Sequence, residues 1–497
     1  MKKKLLYIFA ASALFTSCDL NINDDPSYPE SGTITTDLMF PSVQNYIAAT
    51  SCDIMFNYAG FFCQYFEQKP ESNQFNDIAN LQITESSQTI DRAYSALYAG
   101  ALTDIKDIMG KTTNTADIFA ATVLRAFCFQ LLVDNMGDCP YTEALLGNEN
   151  ASPKWDDGKT VYEGVLAELD AAETAMKESD DQMTMTDMMF NKDINQWIGY
   201  ANALRLRMYL RMYDVDNSVL DKIKSLVSAN NFFSGDVQLD IYGNDNDNRS
   251  PFYGSYYALG TGNHCAAHPI ISYMQATNDP RISYAFSVAA NTGKYTGQMP
   301  GAKARQKDWT STGDWKNNDV SNVVYELYDG SGPIRPAYLF TQANLQFLIA
   351  EVKARFMNDD AGAKAAYEAA VKADFSARGY DGADAFLTGS EVNWDSASDK
   401  LHLIYMQKWV ALFYMDNMES WSEIRRTDTP NLSSRSGKDI YADPTIYNPG
   451  DLIEPTDNGL EAGGLMKRMF YPQTARNLNP NTPAGKPGSE PLWWDVK

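Results

Sequence analysis

The sequence is poor in basic residues. It holds 41 Lys and Arg against 64 Asp and Glu, and its formal net charge is −23. Nucleic-acid-binding proteins gather positive charge against the phosphates, so this balance excludes that class of function. A strongly acidic surface is instead typical of a soluble domain that faces an aqueous medium.

Histidines and catalytic motifs are also scarce. There are three histidines, and neither a G-x-S-x-G elbow nor a P-loop occurs. His264 and His268 have the i, i+4 spacing of two metal ligands on a helix, but no acid lies between them and Pro269 follows. An incidental polar loop is therefore favoured over a metal site, and His402 is interpreted as a satisfied core histidine. The sequence predicts no enzyme, although a carboxylate pair for glycoside hydrolysis depends on three-dimensional distance and stays an alternative.

Cysteines are few, and their number argues against a disulfide framework. If Cys18 carries a lipid, as the N-terminal pattern described below implies, an odd number of cysteines remains for disulfide pairing. Cys52 and Cys63 lie about three helical turns apart, too far to bridge on one helix. The remaining cysteines are predicted to be buried small hydrophobic residues. They are Cys52, Cys63, Cys128, Cys139 and Cys265.

The long uncharged apolar run lies at the N-terminus. Lys2–Lys4 precede Leu5–Phe15, which is shorter than the roughly 20 residues that span a bilayer. This pattern predicts a signal peptide over residues 1–17. Small residues lead directly into Cys18, an arrangement that resembles the lipobox of bacterial lipoproteins and implies lipid attachment at Cys18. Acyl chains would then hold the protein on a membrane.

The segment after the cysteine is polar and acidic. Asp19, Asp24 and Asp25 resemble the surface-export tag of Bacteroidetes lipoproteins, although a solvated linker also carries acids. We therefore expect a lipidated N-terminus and linker over residues 18–37 and a location on the cell surface, at the outer membrane.

Beyond the linker, apolar residues recur at helical spacing over long stretches. Residues Phe347–Asp374 resemble a tetratricopeptide-like helix pair, with alanines that allow close approach. Thr115–Asn135 and Val161–Lys177 form a second pair, and Ile194–Val215 is apolar on most sides and so predicted to be buried. The predicted helices are Val43–Glu67, Gln88–Met109, Thr115–Asn135, Val161–Lys177, Ile194–Val215, Tyr338–Met357, Gly362–Ser376 and Ser398–Arg426.

These patterns suggest a helical scaffold interrupted by a loop-rich lobe. The middle of the chain is rich in Gly, Asn, Asp, Tyr and Trp with weak periodicity, and loops of this length are usually functional. The predicted organisation is a first scaffold part over 38–229, a loop-rich aromatic ligand-binding lobe over 230–335, a second scaffold part over 336–430 and a loop-rich C-terminal segment over 431–497.

Four stretches in order, together with the lipobox, carry a family resemblance. They are GDCPYTEAL (Gly137–Leu145), NALRLRMYLRM (Asn202–Met212), WVALFYMDNMESWSEIRRTDTPNL (Trp409–Leu432) and RMFYPQTARNLNPNTP (Arg468–Pro483). The chain resembles the SusD/RagB family of outer-membrane nutrient-binding lipoproteins over essentially its whole length.

The resemblance implies a mainly α fold, with a tetratricopeptide-like helix-pair scaffold and an irregular lobe. It also implies a SusC-like TonB-dependent transporter as partner and the capture of oligosaccharides. Peptide capture by the same architecture, a surface glycoside hydrolase and a purely structural lipoprotein are the alternatives.

The motif residues themselves are interpreted as structural. Trp409 and Trp421 lie on a helix and are predicted to be core residues. Arg207 and Arg211 are expected to form ion pairs, as are Arg425 and Arg426, which lie near a helix C-terminus where cations complement the dipole.

A sugar site needs exposed flat aromatic rings with polar groups at their edges. Three loop stretches offer both, although aromatic residues in loops often cap a core. The candidate ligand-binding residues are Tyr253, Tyr256, Tyr257, Trp309, Trp315, Asn73 and Phe75.

No cofactor is expected. Gly243–Asn248 alternates oxygen-bearing side chains loosely like a calcium loop, but it lacks the glycine and distal glutamate of an EF-hand. A solvated turn is therefore favoured over a calcium site.

Overall fold

The computed structural model describes residues 34–245, 247–257, 262–301, 315–323 and 332–497. The predicted signal peptide, the predicted lipidation site Cys18, the acidic tag and Trp309 lie outside the described residues.

The first part of the chain is built from helices that begin and end at clear signals. Asn114, for example, accepts a hydrogen bond from the Asp117 backbone N–H and caps a 22-residue helix. The helices up to residue 229 are α1 (Thr36–Ala49), α2 (Phe56–Phe62), α3 (Asn76–Ala79), α4 (Asp91–Ser95), α5 (Thr103–Lys111), α6 (Thr115–Met136), α7 (Gly158–Lys177), α8 (Ile194–Tyr213) and α9 (Leu220–Ala229).

Short strands and helices follow, and then long helices return. The strands are β1 (Phe66–Gln68), β2 (Val237–Leu239), β3 (His264–Ala266) and β4 (Ala337–Phe340). The later helices are α10 (Pro251–Ser255), α11 (His268–Ala276), α12 (Ile282–Ala285), α13 (Gln342–Phe356), α14 (Asp360–Ala377), α15 (Ala383–Phe386), α16 (Lys400–Leu412), α17 (Asn417–Thr427), α18 (Gly437–Ala442) and α19 (Gln473–Leu478).

Helix pairs form the scaffold, as the sequence predicts. Helix α13 packs along α14, and α6 packs along α7. Ala350, Ala366 and Ala370 are buried between their neighbours, so the small side chains allow the close approach. The Tyr367 hydroxyl donates to the Val392 carbonyl at 2.7 Å and fixes the next loop against the pair. The mainly α, tetratricopeptide-like fold class is therefore confirmed.

Helix α8 lies inside the stack, and its arginines are compensated there. Arg211 contacts Asp134 at 2.5 Å and also contacts Glu419, while Arg207 lies 3.2 Å from the same glutamate. The predicted ion pairs of α8 are confirmed. Of the two arginines of α17, Arg426 pairs with acids, whereas Arg425 donates to the Trp421 and Lys467 carbonyls.

One helix of the described residues is long and apolar enough to cross a membrane. It is α6, and 89% of its most apolar window is buried inside the protein. Burial of this kind identifies α6 as a core helix of the stack.

Three predicted helices are interrupted. The helix predicted over Gln88–Met109 contains a π-helical segment at Ala96–Leu102, between α4 and α5. The helix predicted over Val43–Glu67 passes through a π-helical turn at Thr50–Met55 and ends at Phe62, before β1 begins. The helix predicted over Ser398–Arg426 divides between α16 and α17, where Tyr414 has a positive φ of 61° and Asp416 caps α17.

The prediction for His402 is wrong. This residue lies in the first turn of α16, where its side chain is exposed and its backbone N–H donates to Asp399. The apolar face of α16 begins one residue later. The cysteine prediction, in contrast, is confirmed, since the five described cysteines are free and buried. Burial raises the pKa of the Cys52 thiol to about 12.

Candidate functional site

Two antiparallel strands join the loop after α2 to the predicted aromatic lobe. Strand β1 pairs with β3 so that Phe66 lies opposite Ala266 and Gln68 lies opposite His264. The Gln68 side chain accepts a hydrogen bond from the Phe75 backbone N–H at 2.6 Å. The pairing therefore holds the first candidate loop, residues 69–77, against residues 262–266.

Phe75 and Tyr256, both candidate ligand residues, pack inside this junction. Phe75 is 8% exposed and Tyr256 is 3% exposed. Their rings lie 5.0 Å and 5.5 Å from the His264 ring, between centroids. The Tyr256 hydroxyl donates to the Val323 carbonyl at 2.9 Å. Their burial gives these two side chains a packing role in the structure and takes them off the surface that a ligand meets.

His264 lies at the centre of this aromatic cluster, which also contains Phe61 and Phe66. The Phe66 ring stacks on the imidazole at 4.5 Å between centroids. Within the described residues, neither ring nitrogen of His264 has a hydrogen-bond partner. Burial, and in second place the charge of Lys69, lowers the pKa of His264 to about 3. The imidazole is therefore neutral and packs as an aromatic core residue. The prediction that His264 lies in an incidental polar loop is wrong, because the residue is buried in β3.

This burial predicts an acid-sensitive fold. The folded-state pKa of about 3 lies below the unfolded value near 6.5, so the unfolded state binds more protons between those pH values. The contribution of His264 to stability is complete above about pH 6.5 and falls by ~1.4 kcal/mol per pH unit below it. When the pH is lowered from 7.5 to 5, the wild type loses this contribution and His264→Phe does not. We therefore expect the free energy of unfolding of His264→Phe to rise by about 2 kcal/mol relative to that of the wild type over this pH range.

Urea denaturation of both proteins at the two pH values measures this difference. Other buried groups titrate in both proteins, including Asp416, whose pKa burial raises to about 7. Their effects cancel in the comparison, so the difference isolates His264. Parallel stability profiles for the two proteins would contradict the prediction.

A second connection brings the Trp315 loop to the first loop. The Glu71 backbone N–H donates to the Asn317 side-chain oxygen, and the Asn317 backbone N–H donates to the Glu71 carboxylate, each at 3.0 Å. Lys316 contacts the same carboxylate at 3.4 Å. Trp315 is partly buried and meets the Tyr441 ring edge-on at 5.8 Å between centroids. Asn73 is exposed in the adjoining loop.

Two tyrosines and one arginine form an exposed aromatic surface, which we call the tyrosine face: Arg249, Tyr253 and Tyr257. The two rings are stacked, with centroids 5.8 Å apart and 21° between their planes. Tyr257 is 57% exposed, whereas Tyr253 is partly buried. The Arg249 guanidinium carbon lies 5.7 Å and 5.2 Å from the Tyr253 and Tyr257 ring centroids. Through Tyr257, the tyrosine face has an exposed aromatic ring that a sugar ring can contact.

The candidate metal ligands do not share one helix face. His264 belongs to β3, and His268 is the first residue of α11, where burial lowers its pKa to about 4. The His268 ring instead lies 5.3 Å from the Tyr447 ring. Among the described residues, no group of three or more His, Cys, Asp or Glu side chains is placed to hold a metal. The loop with alternating oxygens is closed by a 2.7 Å hydrogen bond from the Gly243 N–H to the Asn248 carbonyl.

Close carboxylates occur in the core, around arginines. Glu351 and Glu423 both contact Arg426, each at 2.6 Å. Burial raises the pKa of both carboxyls, but Arg426 more than offsets this and leaves both pKa values lowered. These acids are ionised structural partners, which does not suit the proton donor that glycoside hydrolysis needs.

Two cavities are not evident from the sequence. Each has a volume of about 520 Å³. One lies between helices α5, α6 and α7, and the other lies at the end of α17. The walls of the second cavity come from segments that are far apart in the sequence, so no local sequence pattern predicts this cavity. The motif Trp409–Leu432 supplies one of its walls. Its walls include Phe62, Trp421, Arg425, Asp428, Leu432, Met466 and Lys467.

Comparison with solved structures gives the same fold throughout. A chitin-binding SusD homologue from Flavobacterium johnsoniae is 20% identical, with a TM-score of 0.71 over 93% of this chain and 98% of that chain. A SusD/RagB family protein from Bacteroides thetaiotaomicron is also 20% identical, with a TM-score of 0.72 over 93% and 99%. A SusD homologue from Bacteroides vulgatus is 22% identical, with a TM-score of 0.67 over 94% and 95%.

A family model identifies the chain at the level of sequence. No match was found among curated proteins. The SusD-like model described as "Starch-binding associating with outer membrane" matches residues 29–446, which is most of the chain. This match, with which the fold agrees, shows that the chain belongs to the SusD/RagB family of outer-membrane-associated proteins.

Proposed function

We propose that this protein is a cell-surface lipoprotein that captures oligosaccharides and passes them to a SusC-like TonB-dependent transporter, without catalysis. Lipid on Cys18 would hold it at the outer membrane. The family description as starch-binding and the chitin-binding homologue support a carbohydrate as the ligand. Among the described residues, the observation that carries the proposal is the exposed tyrosine face.

The tyrosine face is suited to binding without turnover. Tyrosine rings offer apolar faces to the C–H surfaces of sugars, while their hydroxyls remain wet. The β1–β3 pairing and the Glu71–Asn317 hydrogen bonds hold the neighbouring loops in place before a ligand arrives. A surface fixed in advance loses less conformational entropy on binding.

Calorimetric titration tests the proposal. The full chain, purified in detergent, would be titrated with panels of plant and animal oligosaccharides and with a matched panel of peptides. Chromatography of the mixtures would detect products. Binding to one glycan class without products supports capture. Binding to peptides alone, or release of shorter sugars, would overturn the proposal.

A substitution at the tyrosine face gives a sharper result. We expect Tyr257→Ala to weaken oligosaccharide binding about five- to tenfold, because one stacking ring is lost. The melting temperature should hardly change, since the side chain is 57% exposed. Tyr46→Ala, at an exposed tyrosine of α1, is the matched control and should leave affinity unchanged. Equal affinity of Tyr257→Ala and wild type would remove Tyr257 from the site.

A further inference from the structure

Arg249 is a partly buried cation for which the described residues supply no anionic partner. Its Nε atom is buried and has no hydrogen-bond acceptor in the part of the chain that the structure describes. No described carboxylate oxygen lies within 4.0 Å of its guanidinium group. What the group contacts is the pair of rings of Tyr253 and Tyr257. The guanidinium thus lies against aromatic rings, and no described carboxylate neutralises its charge.

Two other arginines that lie over aromatic rings are paired with acids. Arg125 contacts Glu168 at 2.8 Å, and Arg355 contacts Asp214 at 2.5 Å. The chain has 64 acidic residues, so the lack of a partner for Arg249 among the described residues does not reflect a shortage of acids. Even Asp245 and Asp247, close in sequence, are exposed side chains that make no ion pair with it. A cation that no described acid neutralises, beside the exposed ring of Tyr257, points to an anionic group supplied by the ligand.

We propose that the tyrosine face selects acidic oligosaccharides, with Arg249 binding a sugar carboxylate while Tyr253 and Tyr257 contact sugar rings. This inference rests on the proposed carbohydrate-binding function and names its substrate class. A guanidinium group matches a planar carboxylate with two parallel hydrogen bonds. Its contact with two rings leaves it partly dehydrated, which strengthens a charge-assisted hydrogen bond.

The overall charge of −23 does not oppose this selection strongly. Repulsion between exposed charges is screened beyond about 8 Å at physiological ionic strength. The local contact at Arg249 therefore decides the preference, whereas the net charge slows encounter and makes it sensitive to salt.

Matched ligand pairs test the inference in the full chain in detergent. Each pair has an acidic oligosaccharide and its neutral counterpart: an oligogalacturonide with its methyl ester, and a sialylated oligosaccharide with its asialo form. We expect at least one acidic member to bind ten times or more tightly than its neutral counterpart. Arg249→Met should abolish that preference, so that the acidic and the neutral member of each pair bind this variant with similar affinity.

Two further variants complete the design. Arg249→Lys keeps the charge but loses the planar fork, so it should retain part of the preference. Arg92→Met removes an arginine whose side chain is 78% exposed on α4, and it should bind like the wild type. Melting curves of all variants establish that each one is folded.

The outcomes separate this inference from the proposed function. Equal binding of acidic and neutral members would overturn the acidic preference while oligosaccharide capture stands. Absence of binding to every glycan would overturn the proposed function itself. Binding of free galacturonate or inorganic phosphate as tightly as the acidic oligosaccharide would show a simple anion site and would also overturn the inference.

Discussion

Replacing Arg426 by methionine is expected to destabilise the fold by about 3–5 kcal/mol. The Arg426 side chain is 1% exposed. It donates to both oxygens of Glu351, at 2.7 Å and 2.6 Å, and to both oxygens of Glu423, at 2.9 Å and 2.6 Å. Methionine fills much of the same space but leaves buried carboxylates without their main partner.

Urea denaturation near neutral pH measures the loss. Arg92→Met is the matched control, because Arg92 lies 3.9 Å from Asp53 and is largely exposed. That surface pair should contribute less than about 1 kcal/mol. A loss of under about 1 kcal/mol for Arg426→Met would contradict the buried-charge argument.

A combined variant separates charge from packing. If uncompensated charge causes the loss, then Glu351→Gln and Glu423→Gln should restore part of the stability of Arg426→Met. Neutral amides are less costly to bury than carboxylates without a counter-ion. Equal stability of the single and the combined variants would instead assign the loss to packing. Lys408, which lies 2.8 Å from Glu423, remains in each variant.

The scaffold was predictable because its signals are local. Apolar spacing in Phe347–Asp374 and in Ile194–Val215 reports helices whatever surrounds them, and the structure places α13, α14 and α8 there. The breaks within the predicted helices, in contrast, depend on contacts between residues that are distant in the sequence. The chain between α16 and α17 turns at Tyr414, where the Asn417 side chain bonds both the Tyr414 N–H and the Phe56 carbonyl. The second partner lies 361 residues away.

The candidate site was predictable in composition but not in burial. Tyr253, Tyr256 and Tyr257 share one glycine-rich stretch, yet Tyr256 is 3% exposed and Tyr257 is 57% exposed. The difference arises because Tyr256 packs towards His264, whose position in β3 depends on pairing with β1. That no described acid lies near Arg249 is likewise a matter of three-dimensional distances, which the composition of the sequence does not reveal.

Replacing Trp421 by alanine is expected to cost about 3–5 kcal/mol, in agreement with its confirmed place in the core. The indole ring lies 5.0 Å from the Phe62 ring and 3.6 Å from the Arg425 guanidinium carbon. Its N–H donates to the Met466 carbonyl at 2.9 Å. Alanine would enlarge the cavity at the end of α17 and remove the surface on which buried Arg425 rests.

Two controls define what the indole contributes. Trp421→Phe retains a ring but loses the hydrogen bond to Met466, and should cost about 1–3 kcal/mol. Leu432→Ala changes a 44% exposed residue of the same cavity wall and should cost less than about 1 kcal/mol. A small loss for Trp421→Ala would show that the surrounding helices collapse into the space.

Ligand titration of Trp421→Phe then distinguishes two roles for this family motif. If the motif is structural, oligosaccharide affinity should match the wild type although stability falls, because the tyrosine face lies on a different segment of the chain. Weakened affinity would assign the cavity at the end of α17 to the ligand. Since Trp421 and Arg425 are both buried and bonded to their own backbone surroundings, the structural role is the expected result.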